Sequence, residues 1–197
     1  MIGAPEGIPE EEIIAYLRRA GIQVREGMRP DERAEKSALA ARRIAESDVF
    51  AGARTVMIYN SVRGELSLES LTTHPAAEGK RFAYPLCVSR TEMKAYAPGA
   101  WKTGVFGIRE PVPELSREID PERIDLVICP CTVFDVSGSR IGMGAGYYDR
   151  FLPLCLGASV VAAAFEAQKA LRIPARPWDC PVETIFTDQA VYQTMRG

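Results

Sequence analysis

The stretch Ile124–Ile128 constrains this chain most, because apart from Asp125 it offers only isoleucine, leucine and valine and so has no side fit for water. A strand apolar on both sides belongs inside a sheet covered above and below, the position that parallel strands occupy in α/β proteins. Ser159–Phe165 is almost as apolar and reads as another such strand, and the β-branched and aromatic Thr55–Tyr59 reads as a buried first strand ending at Asn60 and Ser61. Arg81–Tyr84, stopped by Pro85, and Met93–Ala97 add strands, as do Glu183–Phe186 and Ala190–Gln193. Trp101–Glu118 is rich in proline and glycine and reads as irregular.

Helical signals fall between these strands. Pro9 and the glutamates after it open a short helix that Gly21 is expected to end. A longer helix runs from Pro30 to about Ser47, with Ala34, Ala38, Ala41 and Ile44 on the side that packs on the sheet. A helical stretch near Ser67–Thr73 follows, and a last helix starts near Gly146, turns Tyr147 and Phe151 to one side, and is cut short or kinked by Pro153. Strands alternating with helices give an α/β fold: one domain over residues 1–197, with helices in 1–47 and an α/β core in 54–193. Its sheet is expected to be open and mostly parallel, flanked by helices on both faces, with ligands beyond the carboxyl ends of the strands.

Composition removes several functions. At 47% apolar and 25% charged residues, with no apolar run long enough to cross a bilayer, the chain has no membrane partner to offer. Glu6, Glu10, Glu11 and Glu12 stand where a secretory signal needs a basic end and an apolar stretch, so the cytoplasm is the expected compartment. A net charge of -2 without any Lys/Arg block provides no field for nucleic acid. Cys129 and Cys131 match neither zinc nor thioredoxin spacing and, like most of the five cysteines, read as buried thiols. The one histidine, His74 before Pro75, reads as a surface residue, which leaves carboxylates, main-chain amides, arginines and a bound ion to carry any chemistry.

Immediately after the best strand comes Phe134–Arg150, with glycine at 138, 142, 144 and 146 opening into a helix. Glycine lets successive N–H groups turn inward and lets a ligand approach the backbone, and a helix N-terminus adds partial positive charge, so the run can cradle phosphate oxygens. Arg140 and Arg150 can add donors, and Asp149 in the first helical turn can hold magnesium. Glycine-rich turns also occur with no ligand, a carboxylate there also suits a helix N-terminus, and neither usual phosphate-loop spacing is present.

The run from Phe134 and Asp135 through Gly138, Arg140, Gly142, Gly144 and Gly146 to Tyr147, Tyr148, Asp149 and Arg150 resembles the signature of the 5-formyltetrahydrofolate cyclo-ligase family. Tyr59–Ser61 with Glu65, the F-G-I-x-E-P segment Phe106–Pro111, and Phe165, Glu166, Gln168, Pro174, Asp179, Pro181 and Thr187 resemble further family pieces, so the likeness spans about residues 14 to 190. The resemblance implies ATP- and magnesium-dependent ring closure of 5-formyltetrahydrofolate to 5,10-methenyltetrahydrofolate through a phosphorylated formyl oxygen. It implies that Arg18, Arg140, Ile141, Gly142, Met143, Gly144, Ala145, Gly146, Tyr147 and Tyr148 bind ATP, with Arg140 and Tyr147 catalytic. By the same likeness Glu65 and the stretch Met143–Tyr147 would bind the folate, while Asp149 and Asp179 would hold Mg2+.

Small-molecule folate and ATP are the expected partners, and a monomer or weak homodimer the expected assembly. A paralogue in thiamine-related metabolism, or a non-catalytic nucleotide or folate binder, would share the fold. Two positions depart from the family. Ile14 stands at the lysine of its K-x-x-L-R segment, so that restoring lysine is expected to tighten ATP, and Trp178 replaces the histidine that usually precedes the carboxylate of Asp179.

Overall fold

The computed structural model describes residues 1–5, 7–104 and 107–194, so Glu6 and Phe106 lie outside the described residues. An eight-stranded sheet forms the centre. In chain order its strands are β1 (Thr55–Met57), β2 (Arg81–Cys87), β3 (Met93–Ala97), β6 (Arg117–Ile119), β7 (Leu126–Pro130), β10 (Ser159–Ala163), β11 (Thr184–Phe186) and β12 (Val191–Gln193). Their spatial order is β12-β11-β10-β7-β1-β2-β3-β6. The block from β11 to β2 is parallel, and β12 on one side and β3 with β6 on the other are antiparallel additions. The expected α/β architecture with a mostly parallel open sheet is the one observed.

The most apolar strand sits where its composition requires, with β7 between β1 and β10 and its alternate side chains entering two cores. Leu126 and Ile128 join Val56, Val161 and Phe165 under helices α2 (Pro30–Ala45), α3 (Asp48–Gly52) and α4 (Glu69–Thr72). Val127 and Cys129 join Met57, Ala83 and Ala95 under α5 (Tyr147–Phe151) and the 3-10 turn after it. Helices therefore cover both faces. Among the described residues no helix is long and apolar enough to cross a membrane.

Several local expectations are corrected. Gly21 does not end the first helix: α1 runs Glu10–Glu26, and a Cβ at Gly21 would stand 2.0 Å from the carbonyl oxygen of Thr132. The missing side chain lets α1 lie directly on the backbone that follows β7. Strand β2 runs through Pro85 because N–H groups alternate sides along a strand, and Pro85 falls on the side of β1, which has ended at Met57. No ladder hydrogen bond is lost. The buried stripe of α2 is Ser37, Ala40, Ala41 and Ile44, while Ala34 and Ala38 face solvent, since Ser37 Oγ turns inward to accept from Ser67 N at 3.0 Å.

The stretch read as irregular holds β6 and a hairpin of β4 (Trp101–Thr103) and β5 (Arg109–Pro111). Lys102 lies opposite Glu110 in that hairpin, and the Trp101 ring packs edge-on to Tyr84 with 4.8 Å between centroids. The helix after the glycine run is the five-residue α5, shorter than a proline two positions beyond its end alone requires.

The approach of α1 gives a stability test. Gly21→Val is expected to lower stability by about 1–3 kcal/mol through overpacking against Thr132, read as a lower urea midpoint with an unchanged slope.

Candidate active site

Beyond the carboxyl ends of the parallel strands lies a cavity of about 580 Å³. Tyr59 and Asn60 reach it from the end of β1, Pro85 and Cys87 from β2, and Pro130, Cys131 and Thr132 from β7. Arg18 on α1, Glu65, Ile108–Glu110 and the run Arg140–Arg150 close its walls.

The first half of the glycine run is a hairpin of β8 (Val133–Phe134) and β9 (Arg140–Ile141), a feature the sequence reading did not contain. Buried Asp135 shapes its turn, with Oδ1 accepting from Ser137 N at 2.9 Å and Ser139 N at 3.3 Å, and Oδ2 from Ile173 N at 2.7 Å. Gly138 has φ +92°, and the Val182 carbonyl oxygen would be 2.4 Å from a Cβ there. These residues set the direction in which the chain re-enters the cavity.

The second half lines the cavity directly. Gly142 faces open space, and Gly144 and Gly146 take φ +103° and +68°, in the left-handed region that glycine occupies without strain. Carbonyls of this loop are held from outside: Arg18 Nε donates to Gly142 O at 2.9 Å and Arg150 Nη2 to Ala145 O at 2.7 Å. Among the described residues the N–H groups of Gly142, Met143, Gly144, Ala145 and Gly146 donate to nothing. A loop with the carbonyls of Gly142, Ala145 and Gly146 engaged and these donors open suits an anion.

Charged groups around the loop are mostly cationic. Arg140, whose side chain is 4% exposed, pairs with Asp149 at 2.9 Å, and among the described residues its Nε has no partner. The hydroxyl of Tyr148 is likewise buried and without a partner among the described residues. Arg18 is held below the usual arginine range by burial and by nearby Arg176. Such a site fits phosphate oxygens.

The magnesium pair expected from the family is not assembled. Asp149 lines the cavity, and among the described residues only its Oδ1 accepts, from Arg140 and from Cys180 N at 3.5 Å. Asp179 is absent from the lining and gives both oxygens to Arg176, at 3.0 Å from Nη2 and from the backbone N–H. No cluster of three or more histidine, cysteine or acidic residues suited to a metal occurs among the described residues. The donor set fits a cation carried in on phosphate oxygens and met by the Asp149 carboxylate, since magnesium usually takes one or two carboxylates together with phosphates and water.

Other expected residues also change position in the argument. Tyr147 borders the cavity, but its hydroxyl donates to Ser89 O at 2.9 Å and Arg150 stacks on its ring at 5.5 Å, so of the two hydroxyls the one unpaired among the described residues is that of Tyr148. Ile141 is buried under the hairpin, and Met143 stands at the loop tip. Ile14 is 4% exposed and packs with Leu17, Val133, Ile141 and Ala170, so the position holds a core side chain. Trp178 is exposed at the cavity rim with Arg176 over its ring at 5.4 Å. His74 caps a turn, accepting from Ala76 N, and is not among the lining residues.

Glu65 is buried at the cavity and pairs with Arg25 at 3.4 Å, a residue that sequence reasoning missed. The helical repeat carried the signal: Arg18, Gly21 and Arg25 share one face of α1 at i, i+3 and i+7. Arg176, missed as well, had no such mark.

A model of the 5-formyltetrahydrofolate cyclo-ligase family matches residues 13–188. The 5-formyltetrahydrofolate cyclo-ligase of Escherichia coli K12 is 28% identical over 178 residues, covering 87% of this chain and 98% of that relative. That of Mycolicibacterium smegmatis is 30% identical over 145 residues, covering 68% and 73%. Among solved structures, the 5,10-methenyltetrahydrofolate synthetase of Aquifex aeolicus aligns with a TM-score of 0.81 at 28% identity over 94% of each chain.

Two outcomes are expected here. Ile14→Lys brings an ammonium into an apolar cluster and should cost about 1–3 kcal/mol in thermal or chemical unfolding, with no gain in nucleotide affinity by calorimetry. Burial pushes the Cys129 thiol up to about 11 and those of Cys131 and Cys155 up to about 12, so native labelling with iodoacetamide near pH 8 should modify exposed Cys87 and spare these until the chain is unfolded.

Proposed function

The chain belongs to the 5-formyltetrahydrofolate cyclo-ligase family, and on that premise we propose that it uses ATP and magnesium to convert 5-formyltetrahydrofolate to 5,10-methenyltetrahydrofolate. One observation carries the reading: the open amides of Gly142–Gly146 stand at the carboxyl ends of the strands, between Arg18 and the buried Arg140–Asp149 pair. That arrangement supports phosphoryl transfer, which asks for positioning and charge neutralisation more than for a strong base.

In the proposed reaction the formyl oxygen attacks the γ-phosphorus, and the bond to ADP breaks. N10 then attacks the activated formyl carbon and gives up its proton, the carbon–oxygen bond breaks, and phosphate departs to leave the methenyl bridge. The amides of Gly142–Gly146 hold the phosphate oxygens, with Arg18 keeping the loop in shape through Gly142 O. Magnesium, when bound, neutralises charge on the triphosphate beside Asp149. Arg140 Nε and the Tyr148 hydroxyl, both buried donors with no acceptor among the described residues, belong to the wall beside the loop and would steady charge that gathers on the transferred group. Glu65 accepts from the paired N–H donors of the pterin.

A direct assay follows methenyl-folate absorbance with ATP and magnesium, where turnover that requires all three components is the expected result. Magnesium-dependent ATP binding by calorimetry without turnover would instead favour a non-catalytic binder. Asp149→Asn is expected to lower kcat/KM for magnesium-ATP at least about tenfold, the scale of one lost charged interaction. Its melting temperature should change little, because the Asn oxygen still accepts from Arg140. Unchanged kinetics would remove Asp149 from the site.

A further inference from the structure

We propose that Arg25 is a positioning residue for substrate recognition, holding Glu65 as a charged, fixed acceptor for a heterocycle that presents adjacent N–H donors. The inference rests on the proposed role of Glu65 and goes beyond it, since Arg25 itself borders no part of the cavity. Its side chain is 0% exposed, and its guanidinium donates to Arg63 O at 3.0 Å, Cys131 O at 3.4 Å and Met143 Sδ at 3.4 Å, besides pairing with Glu65. A wholly buried arginine is expensive to desolvate and persists where its donors are used. Here they join α1, the loop after β1, the end of β7 and the glycine loop at one point behind the cavity.

Glu65 needs that partner. Its Oε2 accepts from Val62 N at 3.1 Å, and burial pushes its carboxyl above the usual carboxylate range, against which Arg25 and the Val62 N–H work. A protonated carboxyl would present a donor where two ring N–H groups need acceptors. The other ionisable groups facing Glu65 are Arg63 from its own loop, Tyr59 after β1, Cys131 after β7 and Tyr148 on α5. Burial pushes both tyrosines well above their usual range and Cys131 up to about 12, and an arginine stays charged throughout, so of these groups Glu65 is the first to change charge as pH rises from the acid side.

The test measures KM for 5-formyltetrahydrofolate and for ATP against pH in the wild type, Arg25→Gln, Arg25→Lys and Glu65→Gln. Arg25→Gln removes the charge and should raise the folate KM about tenfold or more near neutral pH, the scale of one charged hydrogen bond. That loss should shrink as pH rises and Glu65 ionises, while KM for ATP holds. Arg25→Lys keeps the charge without the fork and should retain the wild-type pH profile. Should Arg25→Gln fail to fold, Arg25→Lys decides through the split between substrates: a merely structural Arg25 would raise both KM values alike, which overturns the inference. Glu65→Gln separates the two levels. If it leaves the folate KM unchanged, the assignment of Glu65 itself falls, and the inference with it; if it raises that KM while Arg25→Gln responds equally at every pH, the inference falls alone.

Discussion

Helix α1 crosses the chain at Thr132 with no side chain between them, and the rest of the site depends on that approach. A Cβ at Gly21 would meet the Thr132 carbonyl at 2.0 Å, so only glycine permits the crossing without displacement. One turn before it Arg18 reaches Gly142 O, and one turn after it Arg25 reaches Cys131 O and Glu65. The spacing of these side chains is fixed by the helix, and their distance from the sheet by the glycine. A shift of α1 by the width of a methyl group would move both guanidinium groups together, away from the loop and from the carboxylate.

That geometry crowds positive charge into a place with little water. Burial disfavours the charge of Arg18, and nearby Arg176 adds to the effect. Arg140 has Asp149 for one side of its guanidinium and, among the described residues, nothing for Nε. Proteins seldom leave a buried donor unmatched, because each costs about 1–3 kcal/mol of desolvation with no return. An anionic ligand would relieve the repulsion and satisfy the donors at once, so the site without ligand holds part of the driving force for binding.

How much of this was legible in the sequence follows from the range of the interactions. Ile124–Ile128 announced a central strand because burial on both faces leaves a compositional mark on contiguous residues, and the glycine loop with Arg140 and Asp149 was visible for the same reason. The hairpin of β8 and β9 was hidden, since the hydrogen bond from Ile173 N to Asp135 joins distant segments. Gly21 misled because a glycine in a helix reads as a stop unless the surface opposite is known. The likeness to a lysine-bearing segment likewise placed a phosphate contact at position 14, whereas Ile14 belongs to an apolar cluster that Ile2 and Ala4 complete from the other side. Arg25 was written in the helical repeat, but its meaning needed Glu65, forty residues on, to be brought to it.

The polarity of the glycine loop follows from how it is held. Side chains tether its main chain at Gly142 O through Arg18 and at Ala145 O through Arg150, and both tethers come from arginine. Arginine has donors and no acceptor, so it can grip a main chain only by its carbonyls. The amide N–H of a trans peptide points opposite to its carbonyl. Fixing the Gly142 and Ala145 carbonyls therefore turns the N–H groups of the same peptides, on Met143 and Gly146, away from the tethering arginines, and glycine at 144 and 146 permits the backbone angles of the loop. A tether by aspartate or asparagine oxygen would have consumed the same N–H groups. On the proposed reading, the arginines of this site thus act before any ligand arrives: they spend their hydrogen bonds on the loop's acceptors, and so leave its donors for phosphate.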